Sequence, residues 1–419
     1  MRPVWVLSAV CLLGALAGCS HEAELTFMTG GAPHEFLFYE EICRDFEEQS
    51  GIPITLIRSA TQTEQRKQQI MVGLRGHEPD PDVFLMDIAW IGQLASSGWL
   101  EPLNEHGLDG SAFFPTIVNL ADRHDGDLIG LPFFVDAGLL YYRTDLLRKH
   151  GYDGPPETWT QLLEMARTVQ VAERQTDPDF FGFAWQGAQY EGLVCNALEF
   201  FASAGGGFVD ENDQPVLDTP ANLRALRFMR DLIHEYAVSP PNTYTEMKEE
   251  EVRRLFHNGQ ALFERNWPYA QGRHAAEDSP VRGRFAVAPL PHFEGHHSAA
   301  ALGGYHVAVS RHADRKADAV AFVRYLTSYE VQKRMVFEIT HNPGRTDVYR
   351  DPAVKGTPTA ALEEVFYQAL PRPTVPYYPR LSQTLQKHLN AALSGRATPE
   401  QALSKAQAEL EQLVAEYAR

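Results

Sequence analysis

The stretch from Asp80 to Leu103, DPDVFLMDIAWIGQLASSGWLEPL, contains the strand from which the fold can be derived. Its largely apolar segment Asp82–Met86 predicts a short buried strand. Two further strands and two helices are predicted upstream: strands over Glu24–Thr29 and Pro53–Arg58, and helices over Phe36–Ser50 and Thr63–Gly73. Strands and helices therefore alternate, which predicts a mostly parallel sheet with helices on both faces.

A second alternation of strands and helices begins near Asp136 and continues to the end of the chain. The predicted strands are Gly138–Arg143, Phe181–Trp185, Ala261–Arg265, Phe285–Pro289 and Tyr305–Ser310. The predicted helices are Trp159–Val169, Glu191–Ser203, Leu223–Tyr236, Glu249–His257, Ala317–Ser328, Val331–Val336, Ala360–Gln368, Ser382–Ala392 and Pro399–Ala418. The pattern predicts the α/β class for the whole chain.

The length of the chain predicts two domains. It has 419 residues, and a single core rarely grows beyond about 250–300 residues. No long Pro- or Gly-rich linker separates the halves, so we expect two lobes joined by short crossovers, as in hinge-closing proteins. Lobe one is predicted over residues 23–133 and 284–338, and lobe two over 137–280 and 345–419. Crossovers are predicted near Val135–Ala137, Ser279–Arg282 and Asn342–Arg345.

The N-terminus has the layout of a secretory signal. Arg2 is followed by an apolar run, Val4–Leu16, which is too short to span a bilayer as a helix. The run ends in Leu16-Ala17-Gly18-Cys19, which resembles the bacterial lipobox, where the Cys is acylated and the chain is cut before it. An ordinary signal peptide with a chance Cys is the alternative. We therefore predict a lipoprotein signal peptide over residues 1–18 and a palmitate-type anchor on Cys19 in the cell envelope, with one or two host membranes left open.

Charge and side-chain composition narrow the range of partners. The formal charge is −18, which argues against nucleic acid and anionic lipid. Cys43 and Cys195 could form a disulfide, but amphipathic helical surroundings favour buried thiols. The His296-His297 pair has no partners at metal-ligand spacing, and no Gly-rich loop has P-loop spacing. We expect no cofactor and no metal, with any ATP handled by a separate subunit.

Ten stretches in succession resemble the family 1 extracellular solute-binding proteins, the maltose-binding-protein-like group of bacterial ABC importers. They are Asp80–Leu103, Gly30–Glu35, Ala60–Lys67, Phe134–Leu147, Phe183–Cys195, Ser239–Met247, Phe263–Ala270, Leu302–Ser310, Asn342–Tyr349 and Leu370–Pro379. They look most like the trehalose/maltose-binding branch. The resemblance implies a monomer with the two-lobed type II periplasmic-binding-protein fold, which closes around a small sugar and delivers it to the permease transmembrane subunits.

A sugar has hydroxyl rims and flat C–H faces, so its site needs carboxylates or amides together with aromatic rings. Asp87 directly follows a predicted parallel strand, and the carboxyl ends of such strands are where open α/β sheets bind ligands. Its alternative role is to cap the following helix. Trp90 could pack in the core or contact the ligand.

Three further side chains match sugar-binding positions of the family. Glu35 follows the first turn and resembles a hydroxyl-binding acid, with a solvated first-turn carboxylate as the alternative. Arg66 matches a family arginine, although a solvated helix face would also explain it. Asp136 resembles a sugar-binding aspartate of the branch. Phe134 stands where close relatives carry Tyr, which puts the disaccharide preference in doubt.

The second half of the chain adds aromatic and basic candidates. Trp267 and Tyr269 follow a predicted strand in the sequence NWPY, where a stacking platform for a sugar face is expected. Gly304 allows close backbone approach, and Tyr305 stands where relatives often have Trp. Arg372 matches an arginine that reaches the sugar from lobe two, with a surface loop residue as the alternative.

Two other classes of function compete with that of an importer's binding protein. The acids Glu35, Asp87 and Asp136 could include a glycosidase pair, but nothing fixes two carboxylates at the required separation. A surface receptor for a signalling partner is the third class. We predict a binding protein that is not an enzyme, with a small α-glucoside as ligand. Trehalose, maltose, sucrose and glucosylglycerol have similar hydroxyl rims and stay open as ligands.

Overall fold

The computed structural model describes residues 24–31, 33–60 and 63–417. The predicted signal peptide and Cys19 lie outside these residues. Within them, no helix combines the length and apolarity that crossing a membrane requires. Among the described cysteines, Cys43 and Cys195 are free and buried, and burial raises the pKa of each thiol to about 12.

The strands form two main sheets and a small hairpin. They are β1 Leu25–Thr29, β2 Ile54–Arg58, β3 Val83–Asp87, β4 Arg123–His124, β5 Asp127–Leu128, β6 Leu131–Ala137, β7 Leu139–Arg143, β8 Phe181–Ala184, β9 Ala261–Asn266, β10 Phe285–Ala288 and β11 Leu302–Val309. The order is β2-β1-β3-β11-β6 in the five-stranded sheet and β10-β7-β9-β8 in the four-stranded sheet.

Helices cover both sheets, which confirms the α/β class. In the first half they are α1 Pro33–Ser50, α2 Thr63–Gly76, α3 Ile91–Ser96, α4 Pro115–Leu120, α5 Thr144–Lys149, α6 Trp159–Glu173 and α7 Glu191–Ala202. In the second half they are α8 Pro220–His234, α9 Glu249–His257, α10 Tyr269–Ala275, α11 Lys316–Leu326, α12 Tyr329–Glu338, α13 Glu363–Gln368, α14 Tyr378–Leu393 and α15 Pro399–Tyr417. Short 3-10 helices span Ile88–Trp90, Leu103–His106, Val348–Arg350 and Pro358–Leu362.

The five-stranded sheet contains the predicted parallel unit. β1 pairs in parallel with β2 and with β3, and most side chains of β1 and β3 are buried. β11 enters antiparallel between β3 and β6. β11 follows the four-stranded sheet late in the chain, so it pairs with strands about 200 residues earlier in the sequence. Local sequence patterns do not predict such a pairing.

The four-stranded sheet corrects one predicted boundary. Phe285–Ala288 was assigned to lobe one, but β10 pairs antiparallel with β7 at the edge of the four-stranded sheet. The crossing to the five-stranded sheet therefore comes later, before Leu302, and the predicted crossover at Ser279–Arg282 is wrong. A short apolar strand carries no signal for the sheet that it joins.

A second boundary is also displaced. Residues from 345 onward were predicted in lobe two, yet Arg345 bridges to Phe113 and the Thr346 amide donates to the Ala112 carbonyl. Val348 and Val354 pack on Val336 of α12. This segment therefore lies against the five-stranded sheet's own elements, and only the later helices α14 and α15 pack on α7 and α8.

Candidate functional site

Asp87 ends β3 and lies at the carboxyl edge of the five-stranded sheet. Its Oδ1 accepts a hydrogen bond from the Ala89 amide at 2.8 Å, so it caps the 3-10 helix Ile88–Trp90. The same oxygen accepts from Arg372 Nη2 at 3.0 Å, and the side chain lines a cavity. Capping and a position in the cleft, the two alternatives for this residue, thus occur together.

Arg372 connects elements of the two sheets. Its Nη2 binds Asp87 at the edge of the five-stranded sheet, and its Nη1 donates to Glu191 Oε1 of α7 at 3.0 Å. The side chain is 4 % exposed. Glu191 also accepts hydrogen bonds from the hydroxyls of Tyr378 and Ser382 on α14. Arg372 therefore ties the carboxylate of one lobe to a carboxylate network of the other.

Tyr305 forms an aromatic wall beside Asp87. In the register of the sheet it lies opposite both Asp87 and Phe134. The Arg66 guanidinium lies 4.9 Å from its ring centroid, and Trp90 meets the ring edge-on at 6.2 Å. Trp90 is buried in the core and also lines the cavity, and its contact with a ligand stays a prediction. The predicted positions Arg66, Asp87 and Tyr305 are thus brought together.

Gly304 is required by the sheet itself. Its φ is +111°, and an added Cβ would lie 2.3 Å from the Phe134 carbonyl oxygen. The register between β11 and β6 shifts at Tyr305, immediately after it. The glycine thus permits the bulge that turns Tyr305, and this explains the residue without a direct approach to a ligand.

Asp136 belongs to a cluster of acids and a histidine. It lies opposite Gly303, and Asn342 Nδ2 is 3.5 Å from its Oδ1. His341 Nε2 lies 2.7 Å from Glu35 Oε1. Burial raises the pKa of Asp136 to about 7, against the lowering effect of His341. Glu35 and Asp87 raise it further, which shows that the three acids share one electrostatic environment.

Trp267 is a half-buried ring between two supports. The Arg265 guanidinium lies 4.1 Å from the ring centroid, and an added Cβ on Gly303 would lie 3.0 Å from the ring. Arg265 is held by the buried carboxylate of Glu199, through Nε at 2.9 Å and through Nη2. The Arg265 guanidinium therefore supports one face of the Trp267 ring, and its buried ion pair with Glu199 keeps the guanidinium in place.

Tyr269 has different contacts from those of Trp267. It begins α10, and its hydroxyl donates to Glu250 Oε1 on α9 at 2.9 Å. No hydrogen bond or ring contact connects it with Asp87, Asp136 or Tyr305 within the described residues. Its contact with a ligand stays a prediction.

Several polar residues of the cleft were not singled out from the sequence. Glu191 occurs in the stretch Phe183–Cys195, which carries the family resemblance, and this stretch was its only signal. His341 immediately precedes the stretch Asn342–Tyr349 and had no signal of its own. Lys67 and Arg265 lie in the stretches Ala60–Lys67 and Phe263–Ala270, which likewise carry the resemblance. Glu199 had no signal, because a charged residue on a helix is normally solvated. No group of three potential metal ligands occurs among the residues described.

Comparisons with known proteins agree with this geometry. A model of the bacterial extracellular solute-binding protein family matches residues 32–333. A probable ABC transporter-binding protein of Deinococcus radiodurans is 34% identical over 402 residues, covering 94% of this chain and 95% of that protein.

Two solved structures are similar throughout. The maltose-bound MalE3 of T. maritima is 37% identical, with a TM-score of 0.85 over 93% of this chain and 99% of that one. An ABC transporter solute-binding protein of Thermotoga lettingae, bound with alpha-D-tagatose, is 26% identical, with a TM-score of 0.82 over 93% and 99%. These relatives confirm the two-lobed periplasmic-binding fold, and they are binding proteins, not enzymes. The chain belongs to the bacterial extracellular solute-binding protein family.

Proposed function

We propose that this chain is the sugar-binding lipoprotein of an ABC importer and that it binds a small α-glucoside between its lobes. The observation that carries the proposal is Arg372, which joins Asp87 of one lobe to Glu191 of the other beside two aromatic rings. Carboxylates and a guanidinium suit hydroxyl rims, and Trp267 and Tyr305 suit C–H faces. The cavity beside Arg372 has the size of a small ligand site.

The choice of α-glucoside rests on the relatives and on the predicted branch. The maltose-bound protein is the more similar of the two structures compared, and its ligand is a disaccharide of α-linked glucose. The tagatose-bound protein makes a single ketohexose the main alternative. Phe134 supplies no hydroxyl here, so the remaining acceptors Asp87, Asp136 and Glu35 would carry the hydrogen bonds to the sugar.

Hinge closure follows from where these groups lie. A sugar that touches Asp87 and Tyr305 on one lobe and Trp267 on the other binds the closed form more tightly than the open form. It therefore shifts the population toward closure, and the permease would recognise the closed surface. Asp136 lies at the end of β6 and Gly303 at the start of β11, next to the connections between the two sheets. The proposed site is therefore next to the hinge.

The test is a titration of the purified soluble protein with maltose, trehalose, sucrose, glucosylglycerol and D-tagatose, read by calorimetry and thermal shift. A ligand at 100 times its Kd adds about 2.7 kcal/mol to the unfolding free energy. Binding of one or more α-glucosides is expected. Binding of D-tagatose alone would replace the proposed ligand class, and release of glucose on long incubation would contradict a binding function.

The anchor is tested separately. The Cys19→Ala variant should leave sugar affinity unchanged and release the protein from the membrane fraction, since Cys19 is the predicted acylation site. Fractionation of cells followed by immunoblotting gives the answer. A variant that stays in the membrane fraction would refute lipid anchoring and leave sugar binding untouched.

A further inference from the structure

The backbone of Trp267 lies between a strand and a helix and belongs to neither. β9 ends at Asn266, where its register with β7 also ends, and α10 begins at Tyr269. The Trp267 amide donates to Asn266 Oδ1 at 2.9 Å, and the Trp267 carbonyl accepts from the Tyr141 hydroxyl at 2.8 Å. The same carbonyl accepts from the Ala270 amide at 3.1 Å. Two side chains therefore bind the peptide groups on both sides of the residue whose ring is the proposed platform.

Tyr141 is a fully buried side chain of β7 and lies opposite Glu264 in the register of the sheet. Its ring meets the His274 ring edge-on, with the centroids 5.5 Å apart, and the Phe256 ring at 6.4 Å. Its hydroxyl also lies 3.3 Å from the Pro268 carbonyl oxygen. Because packing fixes the ring and the ring carries the hydroxyl, Tyr141 presents a donor at a fixed position beyond the end of β9.

Asn266 is oriented by the hydrogen bonds of its own amide nitrogen. Its Nδ2 donates to Glu264 Oε1 at 2.6 Å and to the Glu249 carbonyl at 3.2 Å, which leaves Oδ1 to accept from Trp267. Glu264 is oriented in turn, because its Oε2 lies 2.7 Å from His274 Nε2, and both of these side chains are 0 % exposed. The amide that holds Trp267 is therefore held by a buried ion pair.

These side chains form one connected cluster, which we call the Trp267 clamp: Tyr141, Glu264, Asn266 and His274. The cluster closes on itself, since the Tyr141 ring packs against His274, which pairs with Glu264. A buried polar network whose members bind one another fixes a single arrangement. The clamp acts on the Trp267 backbone, whereas Arg265 contacts the Trp267 ring.

A stacking surface binds well only if it is held in its productive position before the ligand arrives. A ring that is already ordered loses less conformational freedom on binding, and its geometry depends on the residues that support it. An indole on a loose connection between a strand and a helix would have to be ordered by the sugar itself. The clamp removes that cost by fixing both peptide groups of Trp267.

We propose that Tyr141 and Asn266 are positioning residues of the sugar site, which hold the Trp267 ring in place through its backbone, and that Glu264 and His274 act through Asn266. This inference rests on the proposed sugar-binding function and on Trp267 as its platform. It assigns to the buried polar groups of β7, β9 and α10 a role in affinity in addition to their role in the fold.

The test measures maltose affinity of the soluble protein for Tyr141→Phe, alone and combined with Trp267→Ala. Calorimetric titration serves for the tighter variants and thermal shift at high maltose concentration for the weaker ones. Tyr141→Phe keeps the ring and removes only the hydroxyl, so affinity should fall about 3- to 10-fold. In the Trp267→Ala background the same substitution should change affinity less than about 2-fold, because no ring is left to position.

A second variant and a matched control complete the test. Asn266→Ala should behave like Tyr141→Phe in both backgrounds, and it keeps the test valid if Tyr141→Phe fails to fold. The control is Tyr377→Phe, since Tyr377 is also buried and its hydroxyl donates to the Asp213 carbonyl at 2.8 Å. It removes the same kind of hydrogen bond outside the clamp, so it should lower the melting temperature without changing maltose affinity.

Two results overturn the clamp. Maltose affinities of Tyr141→Phe and Asn266→Ala equal to that of wild type would do so. Equal losses with and without the Trp267 ring would also do so, because a general loosening of the lobe weakens binding in either background. Failure of the proposed function looks different, because the wild type itself would then bind no α-glucoside and the clamp would have no sugar site to serve.

Discussion

Two buried arginines of this protein, Arg265 and Arg372, have the same chemistry and different surroundings. Arg265 pairs with Glu199, and both side chains are 1 % exposed inside one lobe. Arg372 is 4 % exposed, but its partners Asp87 and Glu191 come from different lobes. If the cleft opens, water reaches Asp87 and Glu191, whereas it reaches Glu199 only if the lobe unfolds.

This difference separates stability from binding. Removing one partner of a buried ion pair leaves the other charge uncompensated. The free-energy cost falls on the state of the protein in which that charge is shielded from water. For Arg265 that state is the folded lobe. For Arg372 it is the closed form. We therefore expect Arg265 to support the fold and the Trp267 ring, and Arg372 to support closure.

The largest effect is expected for Arg265→Met. The substitution leaves the Glu199 carboxylate in the core without its guanidinium partner. Glu199 Oε1 still accepts a hydrogen bond from the Ala301 amide. The free energy of unfolding should fall by about 3–5 kcal/mol. Urea unfolding measures it. Arg227→Met breaks the exposed pair with Glu400 and serves as the control, with an expected change below about 1 kcal/mol. Equal losses in the two variants would remove the distinction between buried and surface pairs.

Trp267→Ala is expected to affect binding more than the fold. In the proposed site the Trp267 ring covers a sugar face and the Arg265 guanidinium packs on the ring. The free energy of binding should therefore weaken by roughly 2–4 kcal/mol, about 30- to 1000-fold in affinity. Trp267→Phe should recover part of this affinity, because it keeps a flat face. Calorimetric titration and melting of the same variants separate the two roles. Normal affinity with a collapsed melting temperature would make Trp267 a core residue.

Arg372→Leu should weaken sugar binding by about 10- to 100-fold, since hydrogen bonds to charged groups contribute about 1.5–3 kcal/mol. Its melting temperature without sugar should change little, because an open cleft rehydrates Asp87 and Glu191. Arg372→Lys should lie between the two, since an ammonium cannot reproduce the planar double contact. A drop in stability as large as that of Arg265→Met would show that Arg372 is held in the fold itself.

A pH dependence of stability is expected at Asp136. Its folded pKa, about 7, lies above the ordinary value of 3.8. Between these values the folded protein holds a proton that the unfolded chain has lost, so its contribution to stability is present at low pH and is lost as the pH rises through about 7. Asp136→Asn should flatten this part of the profile. Thermal unfolding from pH 4 to pH 8 checks it, and an unchanged slope in the variant would contradict the assignment.

Much of the fold follows from local patterns. The strands around DVFLM, the helix Glu249–His257 and the positions of most other elements were predicted, because alternation and helical spacing depend on near neighbours. The sheet that β10 joins and the antiparallel entry of β11 were not predictable, because pairing partners lie far apart in sequence. The strand Leu131–Ala137 was also missed, since its apolar run contains a Pro and has no alternation.

The site divides in the same way. The sequence by itself determined the acids, aromatics and glycines that motifs carry, among them Asp87, Asp136, Trp267 and Gly304. Only the tertiary structure decided which of them meet. The bridge from Asp87 through Arg372 to Glu191 spans 285 residues of sequence at one end and 181 at the other. Such contacts arise from the packing of whole lobes, so they cannot be predicted from a residue's neighbours along the chain.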